Sequence, residues 1–422
     1  MTAAAEVIVV GGGPAGAMAA LALAARGVRA LVLDRARFPR DKPCGGGMRH
    51  GAVGRFPGVF AALAGRVAFH EIRRVLMEAP SGATVLAALG TPLYLTFERR
   101  EFDAALLALA RERGAEVREG VRVVGLERAA DGVAVGTHEG GRLAARVVIG
   151  ADGVNGVVAR AAGLSDGFGA GALALDTMEE PPYAELDVAD RETIYVAYGY
   201  RGRPGYGYVF PKARCVDGGV GYLLAYFKGA LDGAPRVHHA RFLAEAAAKG
   251  WVRGRSNPAN VRAYRLPLGG PLARTVAERV LVCGDAGGFV NAYTGEGIYH
   301  AMVTGEHAGA AAADALARGD CSAAGLASYE ARWRREVGRE LADAVRIQRR
   351  LFARPALADA VVAAAARDPR LCRLLARVAL GEEDYRRHRL ALAGRFLLAV
   401  LRGRIGLAAL RGRGGGAPVG RA

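Results

Sequence analysis

The sequence predicts an α/β fold in which a parallel β-α-β core is interleaved with an antiparallel sheet and followed by a helical region. Residues 7–10 (Val-Ile-Val-Val), a glycine turn, an alanine-rich stretch to about Arg26 and an apolar run over 28–33 form the β-α-β unit. Residues 165–264 alternate between apolar and polar, are rich in tyrosine and contain glycine-rich turns, which indicates an antiparallel sheet. From Ala331 onward the apolar spacing is helical.

The same patterns predict the elements that connect these parts. They are a helix over 101–113, strands over 115–118 and 121–128 followed by a hairpin turn at Asp131-Gly132, buried strands over 145–149 and 279–283, and a helix over 297–316.

The net charge of +17 first raises the question of a nucleic-acid or anionic-membrane partner. Only four of the 58 basic residues are lysine, however, and alanine and glycine are inflated together with arginine. GC-rich coding explains this composition, and no basic run interleaved with aromatic residues is present. We therefore expect no nucleic-acid partner.

The five cysteines are scattered, form no C-x-x-C pair and are odd in number, which indicates a reducing compartment and no cysteine-based zinc site. No histidine-rich metal site stands out either, so we expect no metal. The charge-free stretch 7–25 resembles a membrane span, but the glycine turn near its start favours a strand, a turn and a helix. A cytoplasmic protein is predicted, with peripheral contact at the inner face of the cell membrane left open.

The first motif, at 11–16 (Gly-Gly-Gly-Pro-Ala-Gly), is a G-x-G-x-x-G that follows a strand and opens a helix. In such a motif Gly11 permits the tight turn, Gly13 lets a pyrophosphate approach the backbone and Gly16 lets the helix lie close to the sheet. Asp34 follows Gly11 by 23 residues, at the end of the second strand, where a carboxylate can bind ribose hydroxyls. The motif predicts a dinucleotide site but leaves NAD and FAD open.

A second motif decides between the two dinucleotides. Residues 280–288 form a strand that delivers Asp285 into a loop of small residues, and 294–298 (Thr-Gly-Glu-Gly-Ile) then open a helix. FAD needs this second half because its ribityl chain and isoalloxazine extend beyond the pyrophosphate. Asp285 can accept from ribityl hydroxyls, and the N–H groups of Gly297 and Ile298 can face the flavin, whose reduced form the helix dipole favours. A third candidate is Asp152 in 150–155, for which an ordinary Asp-Gly turn is the alternative.

Together these segments resemble the flavoproteins built like p-hydroxybenzoate hydroxylase, and within them the geranylgeranyl reductase family. Two segments carry the narrower resemblance: 39–48 (Pro-Arg-Asp-Lys-Pro-Cys-Gly-Gly-Gly-Met) and 206–212 (Tyr-Gly-Tyr-Val-Phe-Pro-Lys). The resemblance covers about residues 5–340. It departs from the family at Tyr208, where tryptophan is usual, and this puts the length and headgroup of the substrate in doubt.

The resemblance implies specific site residues. Those implied or predicted to bind FAD are Gly11, Gly13, Ala15, Gly16, Asp34, Cys44, Gly45, Gly47, Arg99, Val123, Asp152, Asp285, Gly297 and Ile298. The resemblance implies that Cys44 is catalytic, either by tuning the flavin or by assisting proton delivery. The alternative is that Cys44 only packs in a glycine loop. Arg99 could instead be a surface residue that begins a helix. Tyr206, Tyr208 and Phe210 are implied to line an apolar substrate tunnel, with core packing at period two as the alternative.

The implied activity is hydride transfer from N5 of reduced FAD to a double bond of a geranylgeranyl or other isoprenoid chain, on a lipid, a prenylated quinone or a pigment. The electron donor, NADPH or a ferredoxin, has no domain of its own in the sequence. The alternative function is an FAD-dependent monooxygenase that hydroxylates or epoxidises an aromatic or polyketide substrate. Halogenases share the scaffold, but their W-x-W-x-I-P segment is absent. A flavin-binding electron carrier would not need the large antiparallel sheet.

The predicted organisation is a Rossmann-type FAD-binding domain over 1–164 and 265–330, interleaved with a substrate domain over 165–264. A helical region over 331–412 and a disordered tail over 413–422 follow. The segment from Arg386 to Arg413 mixes apolar residues with eight arginines, which is typical of an interfacial helix. Its two faces are imperfectly separated, so a helical cap on the substrate domain is the alternative.

Overall fold

The computed structural model describes residues 5–129, 131–231 and 233–399. Its strands are β1 (Ala5–Val10), β2 (Ala30–Asp34), β3 (Gly47–Arg49), β4 (His70–Ile72), β5 (Arg74–Glu78), β6 (Thr84–Ala88), β7 (Tyr94–Thr96), β8 (Glu116–Glu119), β9 (Val123–Arg128), β10 (Val133–Thr137), β11 (Arg142–Gly150), β12 (Leu173–Glu179), β13 (Leu186–Val188), β14 (Thr193–Tyr198), β15 (Gly205–Pro211), β16 (Val216–Leu223), β17 (Val252–Gly254), β18 (Arg262–Pro267), β19 (Val276–Ala277) and β20 (Val280–Val282).

The helices lie between these strands and after them. They are α1 (Pro14–Ala24), α2 (Gly51–Arg55), α3 (Pro57–Leu63), α4 (Arg99–Glu112), α5 (Val158–Ala161), α6 (Leu224–Ala230), α7 (Pro235–Ala248), α8 (Ile298–Arg318), α9 (Ala323–Leu326), α10 (Ser328–Trp333), α11 (Arg339–Ala353), α12 (Pro355–Arg367), α13 (Pro369–Ala379) and α14 (Tyr385–Ala399). A π-helical turn over Arg334–Gly338 joins α10 to α11.

The first sheet is mainly parallel and has the order β19-β20-β11-β1-β2-β8, with β9 and β10 attached to β11 as an antiparallel hairpin. The central strand β1 pairs in parallel with β2 and β11, so that Val9 lies opposite Val32 and Ile149. β1 and β2 are almost entirely buried, β11 is buried from Val147 to Gly150, and the buried parts are rich in Val, Ile and Leu, as strands covered on both faces are. The predicted α/β class and β-α-β unit are confirmed.

Helix α1 is made almost entirely of small apolar residues and is buried nearly all round. It begins with a proline at its first position, where no N–H is needed, and lies directly against α8. Two glycines of α8 allow this approach, because a Cβ at Gly305 would lie 2.1 Å from the Ala15 carbonyl oxygen and one at Gly309 would lie 2.3 Å from that of Ala19. The two helices therefore lie side by side, with the first turn of α1 against the part of α8 around Gly305.

The second sheet has the order β18-β12-β16-β15-β14-β5-β6 and is antiparallel except for the β14–β5 pair. This differs from the predicted division of the chain, because β5 and β6 (74–88) lie in the range assigned to the FAD-binding part. The range 165–264 also contains two helices, α6 and α7, and α7 covers one face of the sheet. The other face looks toward the first sheet and forms the floor of the site.

The C-terminal helices form a cap on this second sheet. α12 and α13 pack on β6, and their apolar residues share a core with strands β5, β6 and β14. α14 packs on both helices through Leu392 and Phe396, and two of its arginines pair with acids of the cap, Arg386 with Asp343 and Arg395 with Asp368. The other expected apolar residues and arginines of this segment from Val400 onward, and the predicted tail over 413–422, lie outside the described residues.

Candidate active site

A cavity of about 740 Å³ lies between the two sheets. The carboxyl ends of β1, β2, β11 and β20 open into it, and the β12–β15 part of the second sheet forms the opposite wall. Ligands of open α/β sheets bind outside the carboxyl ends of the strands. The cavity therefore occupies the position where a dinucleotide is expected.

The predicted site residues come together here from four widely separated parts of the chain. Those that line the cavity are Gly11, Gly13, Ala15, Asp34, Cys44, Gly45, Gly47, Arg99, Val123, Asp152, Tyr206, Tyr208, Phe210, Asp285, Gly297 and Ile298. Gly16 does not line it. A Cβ there would lie 1.8 Å from the Gly11 carbonyl oxygen, so Gly16 lets α1 lie close to the turn, as the motif predicts.

Both α1 and α8 point their N-termini into the cavity, where Pro14 and Ile298 are lining residues. The first N–H groups of a helix have no partner within the helix and carry partial positive charge, which attracts an anion such as a pyrophosphate. At Gly13 a Cβ would point into open space beside the Arg40 guanidinium, 3.6 Å away. A guanidinium therefore lies directly beside the glycine backbone, where it can pair with an anion bound at the start of α1.

Asp34 holds the first glycine turn in shape. Its buried carboxylate accepts from the N–H of Gly12 at 2.7 Å and from that of Ala36 at 2.8 Å. An ionised carboxylate has about four acceptor positions, so these two bonds leave capacity for hydroxyl donors. The side chain both fixes the loop and remains able to bind ribose.

Arg99 begins α4 but is only 6% exposed, so the surface alternative is wrong. Its guanidinium forms a bidentate pair with Asp103 at 2.8 Å, and Arg40 reaches the same carboxylate at 3.0 Å. Burial lowers the pKa of Arg99, but Asp103 and the nearby Cys44 raise it by a larger amount. The pKa of Arg99 therefore lies above its ordinary value. The structure therefore gives Arg99 a protein partner at the cavity wall.

Asp152 caps the short helix α5 and also faces the cavity. Its Oδ2 accepts from the N–H of Val157 at 2.6 Å and of Val158 at 3.0 Å, while burial raises the pKa of the carboxyl group. The following Gly153 has a φ of +78°, as an Asp-Gly turn requires. Asp152 therefore belongs to an Asp-Gly turn and lines the cavity at the same time.

Cys44 is half-buried in the loop before β3, and its sulfur accepts from the N–H of Gly46 at 3.5 Å. The neighbouring Gly45 lies against the aromatic residues of β15, since a Cβ there would be 3.0 Å from the Phe210 ring and 3.5 Å from that of Tyr208. The cysteine loop and the aromatic row thus touch across one end of the cavity.

The aromatic row itself is formed by Tyr206, Tyr208 and Phe210, which alternate along β15 and all face the cavity. Their rings follow one another at centroid distances of 5.9 and 4.9 Å. Burial raises the pKa of both tyrosines, so each keeps its hydroxyl proton at neutral pH.

Sequence reasoning missed two charged residues of the cavity, Lys42 and Asp176. The Lys42 ammonium lies 3.4 Å from the centroid of the Tyr264 ring, and burial, followed by Arg99, lowers its pKa to about 8. Lys42 stands inside the segment that carried the family resemblance, and this was a signal for it. Asp176 is a single acid in an alternating strand, and only the assembled sheet reveals that it faces the cavity.

A cluster of Glu296, His300 and Glu340 beside the cavity has the residue types of a metal site. Arg49 already satisfies both carboxylates, with Nε bonded to Glu296 at 2.9 Å and Nη1 bonded to Glu340 at 2.9 Å. Although burial opposes it, Arg49 and His300 hold the pKa of Glu340 well below its usual value. The cluster is a buried ion-pair network that ties β3 to α11, and the expected absence of a metal stays a prediction.

Comparisons with known proteins point to the same cofactor. The family described as "FAD binding domain" matches residues 4–345. Digeranylgeranylglycerophospholipid reductase 2 from Methanopyrus kandleri is 31% identical over 79% of this chain and 83% of its own length. The digeranylgeranylglycerophospholipid reductase from Methanosphaerula palustris is 29% identical over 78% and 81%.

The chain belongs to the geranylgeranyl reductase family of FAD-dependent oxidoreductases. Its fold matches a solved geranylgeranyl bacteriochlorophyll reductase-like protein from Thermoplasma acidophilum with a TM-score of 0.76, at 21% identity, over 86% of this chain and 92% of the other. The predicted fold, family and cofactor are confirmed.

The residues of this geranylgeranyl reductase family member fit FAD. Among the described residues, the buried Arg40 Nη1 and Asp152 Oδ1 lack a hydrogen-bond partner in the protein, and both residues line the cavity. Buried polar atoms are normally paired, so an unpaired donor and an unpaired acceptor in one cavity call for a polar ligand. Two helix N-termini, a cation and several carboxylates match the phosphates and hydroxyls of a flavin dinucleotide.

Proposed function

We propose that this reductase saturates carbon–carbon double bonds in the isoprenoid chain of a lipid, a prenylated quinone or a pigment. The observation that carries the proposal is the apolar wall of the main cavity, behind which lies a second, narrow cavity of about 30 Å³. The narrow cavity shares Tyr94, Tyr206, Phe210, Thr294 and Glu296 with the main cavity and lies between the second sheet and α13. Its other lining residues are mostly aliphatic, namely Val75, Met77, Ile194, Val196, Ala376, Ala379 and Leu380, with Tyr198.

An apolar chain is the ligand that such a lining favours, since burying each CH₂ group contributes about 0.8 kcal/mol and the aliphatic walls require no polar partner. The names of the relatives, which are reductases of a digeranylgeranyl lipid, support the same substrate class. The monooxygenase alternative has less support, because the relatives are named as reductases of isoprenoid lipids.

In the proposed site, FAD is held by the glycine turn and Asp34 at one end and by Asp285, Gly297 and Ile298 at the other. When bound and reduced, FAD supplies a hydride for the alkene. The residues of the protein position the substrate: the aromatic row excludes water, and Gly45 lets it approach the cysteine loop closely. Because an isolated alkene is a poor hydride acceptor, this dry and tight alignment is the main catalytic contribution of the chain.

Cys44 is proposed to act on the flavin side of the site, by tuning the cofactor or assisting proton delivery. Its half-buried sulfur lies at the cavity wall beside Arg99. If it acts there, Cys44→Ser should keep FAD but change the rate of flavin reduction or the distribution of products. Unchanged kinetics with an unchanged flavin spectrum would leave Cys44 as a packing residue.

The direct test is reduction of a geranylgeranyl lipid by the purified holoprotein, followed by mass spectrometry. Each saturated bond adds two hydrogens to the product. NADPH and reduced ferredoxin, the two proposed electron donors, are supplied in separate reactions, so that the physiological type of donor is read from the same assay. Oxygen-dependent turnover of an aromatic compound without saturation of the prenyl chain would overturn the proposal.

A matched pair of variants tests the narrow cavity. Ala379→Leu fills it, and we expect kcat/KM for a long prenyl chain to fall about tenfold while a short chain is affected less. Ala244→Leu on the exposed face of α7, outside both cavities, is the control and should leave the kinetics with both substrates unchanged.

We also propose that the protein works at the inner face of the cell membrane, because a geranylgeranyl chain is too apolar to cross the cytosol freely. Within the described residues, no helix has the length and hydropathy to cross a bilayer. Contact is assigned instead to α14, whose outer face exposes Leu390, Leu397 and Leu398 beside Arg387 and Arg389. Exposed leucines with flanking arginines suit an anionic lipid surface.

A further inference from the structure

We propose that Tyr208 donates the proton that completes saturation of the double bond and that Asp176 is the positioning residue that resupplies it. This inference rests on the proposed function, because a proton is needed only if an alkene is reduced. The Tyr208 hydroxyl donates to Asp176 Oδ2 at 3.0 Å, and both side chains line the main cavity.

The two residues are neighbours only because of the strand between them. Asp176 lies on β12 and Tyr208 on β15, and β16 separates the two strands. On the cavity face, β16 carries glycine at both points of contact, since Asp176 lies opposite Gly221 and Tyr208 lies opposite Gly219. The tyrosine ring lies across this bare strand to reach the aspartate.

The space is fitted closely to the pair. A Cβ at Gly219 would lie 2.5 Å from the Tyr208 hydroxyl oxygen, and one at Gly221 would lie 3.1 Å from Asp176 Oδ1. Any side chain at 219 would push the hydroxyl away from the carboxyl group. The two glycines therefore give the pair its geometry, which packing of an apolar sheet face would not require.

The carboxyl group is suited to hold a proton. Asp176 is 5% exposed, and its Oδ1 lacks a hydrogen-bond donor among the described residues, so no hydrogen bond stabilises a negative charge on that oxygen. Burial raises the pKa of Asp176 to about 7, although the Tyr208 hydroxyl and the positive charges nearby lower it. The titratable groups that face it are Tyr206 and Tyr208 on β15, Tyr264 on β18, Asp217 on β16, His239 on α7 and Lys42 in the loop before β3.

The step balances with one hydride and one proton for each double bond. The hydride forms a C–H bond at one alkene carbon while the π electron pair takes the Tyr208 proton at the other carbon. For this the Tyr208 hydroxyl turns from Asp176 to the alkene, and its oxygen takes the proton that the Asp176 carboxyl group then holds on Oδ2. Asp176 regains a proton from water after the product leaves, so the pair returns to its starting state.

The first experiment needs no turnover. An infrared pH titration of the FAD-free protein should show a carboxylic acid band that disappears near neutral pH and is absent in Asp176→Asn. In Tyr208→Phe the band should persist to higher pH, because the hydroxyl that lowers the pKa of Asp176 is gone. Absence of a band that titrates near neutral pH, or no shift in Tyr208→Phe, would overturn the proposal.

The second experiment measures reduction of a geranylgeranyl lipid by the holoprotein. The kcat of Asp176→Asn and of Tyr208→Phe should each fall about 100-fold or more. The kcat of the double variant should fall no further than that of the more impaired single variant, because the two residues act as a unit. The fall in rate of the wild type above about pH 7 should vanish in Asp176→Asn. Reduction of the flavin itself should be unchanged in all three variants.

Asp166→Asn and Tyr226→Phe, which lie outside both cavities, are the controls and should behave as wild type. If the wild type reduces the lipid and both site variants do so at its rate and with its pH profile, the proton-donor proposal fails and the proposed function stands. If the wild type reduces no isoprenoid, the proposed function fails, whatever the infrared titration shows.

Discussion

At the scale of single residues, the charges of the cavity are set by burial, and Lys42 is an example. Its pKa falls from 10.5 to about 8 because burial, followed by Arg99, disfavours the cation more than Asp285 and Cys44 favour it. As long as Lys42 is protonated, its positive charge should strengthen the binding of anionic FAD. The affinity is then expected to depend on pH within an accessible range.

We predict that the dissociation constant of FAD rises about tenfold as the pH rises through 8, because Lys42 loses its proton there. Lys42→Arg should remove this dependence, since arginine stays charged. Fluorescence titration of the FAD-free protein between pH 7 and 9.5 measures both. The exposed Lys228→Arg is the control, and an affinity of the wild type that is flat over this range would contradict the prediction.

Asp285 gives a second prediction at this scale. It lies in the turn after β20, and a Cβ at Gly297 would be 3.4 Å from its Oδ1, so it reaches the start of α8. Asp285→Ala should remove an acceptor for ribityl hydroxyls at a cost of about 1–3 kcal/mol, which weakens FAD binding about 5- to 150-fold. Retention of FAD through gel filtration, compared with Asp166→Ala, tests this. A variant as yellow as the wild type would show that Asp285 makes no such bond.

Asp176 has a further consequence for stability. The folded state raises its pKa from 3.8 to about 7, so its contribution is fully present below pH 4 and is lost as the pH rises through 7. Asp176→Asn cannot ionise, so it should become more stable than the wild type toward pH 8, by up to about 4 kcal/mol. Urea unfolding at pH 5 and pH 8 measures the difference. Equal pH dependence in the two proteins would contradict it.

At the scale of elements, local patterns predicted strands and helices well, but pairing depends on distant segments. The β-α-β unit follows from apolar runs and a glycine turn that are adjacent in the chain. The addition of β5 and β6 to the second sheet could not be predicted in the same way, because β5 pairs in parallel with β14 more than 100 residues later. Register between such strands is decided by tertiary packing. The same limit hid Asp176 and its contact with Tyr208.

The contact between α1 and α8 is an element-scale feature that can be tested. Gly305→Ala places a methyl group 2.1 Å from the Ala15 carbonyl oxygen, so the two helices must separate where both N-termini enter the cavity. We expect a loss of about 1–3 kcal/mol in the free energy of unfolding, together with weaker FAD binding. Gly229→Ala in α6 is the control, because a Cβ there meets nothing within 4 Å and alanine favours the helix. Equal melting temperatures would refute the role of Gly305.

At the scale of the whole molecule, the site is a joint product of two sheets and a cap. The first sheet supplies the dinucleotide end, the second supplies the aromatic row and Asp176, and α13 closes the narrow cavity. The dinucleotide end could be predicted from sequence because its glycines and acids follow strand ends at known spacing. The substrate end could be placed only through the family resemblance, because aromatic residues at alternate positions of a strand are equally typical of core packing.

The cap also determines how the molecule can meet a membrane. α14 buries Leu392 and Phe396 and pairs Arg386 and Arg395 with acids, so the helix is held in place from one side. The structure thus supports the cap alternative for that face. On the opposite face, Leu390 is 79% exposed and Leu397 is 56% exposed. These two leucines are two helical turns apart and therefore lie on the same side of the helix.

We therefore predict that vesicles with anionic lipids sediment the protein at low salt and that neutral vesicles retain it less. Leu390→Gln with Leu397→Gln should shift it to the supernatant, because two apolar contacts are lost from a surface whose burial is worth about 1.5–3 kcal/mol per leucine. Leu86→Gln, a leucine 52% exposed on β6, is the matched control and should sediment as wild type. A chain truncated after Glu383 also tests the residues beyond 399, and it removes the packing contacts of Leu392 as well. Equal recovery of wild type, double variant and truncated chain in the supernatant would leave α14 with its structural role alone.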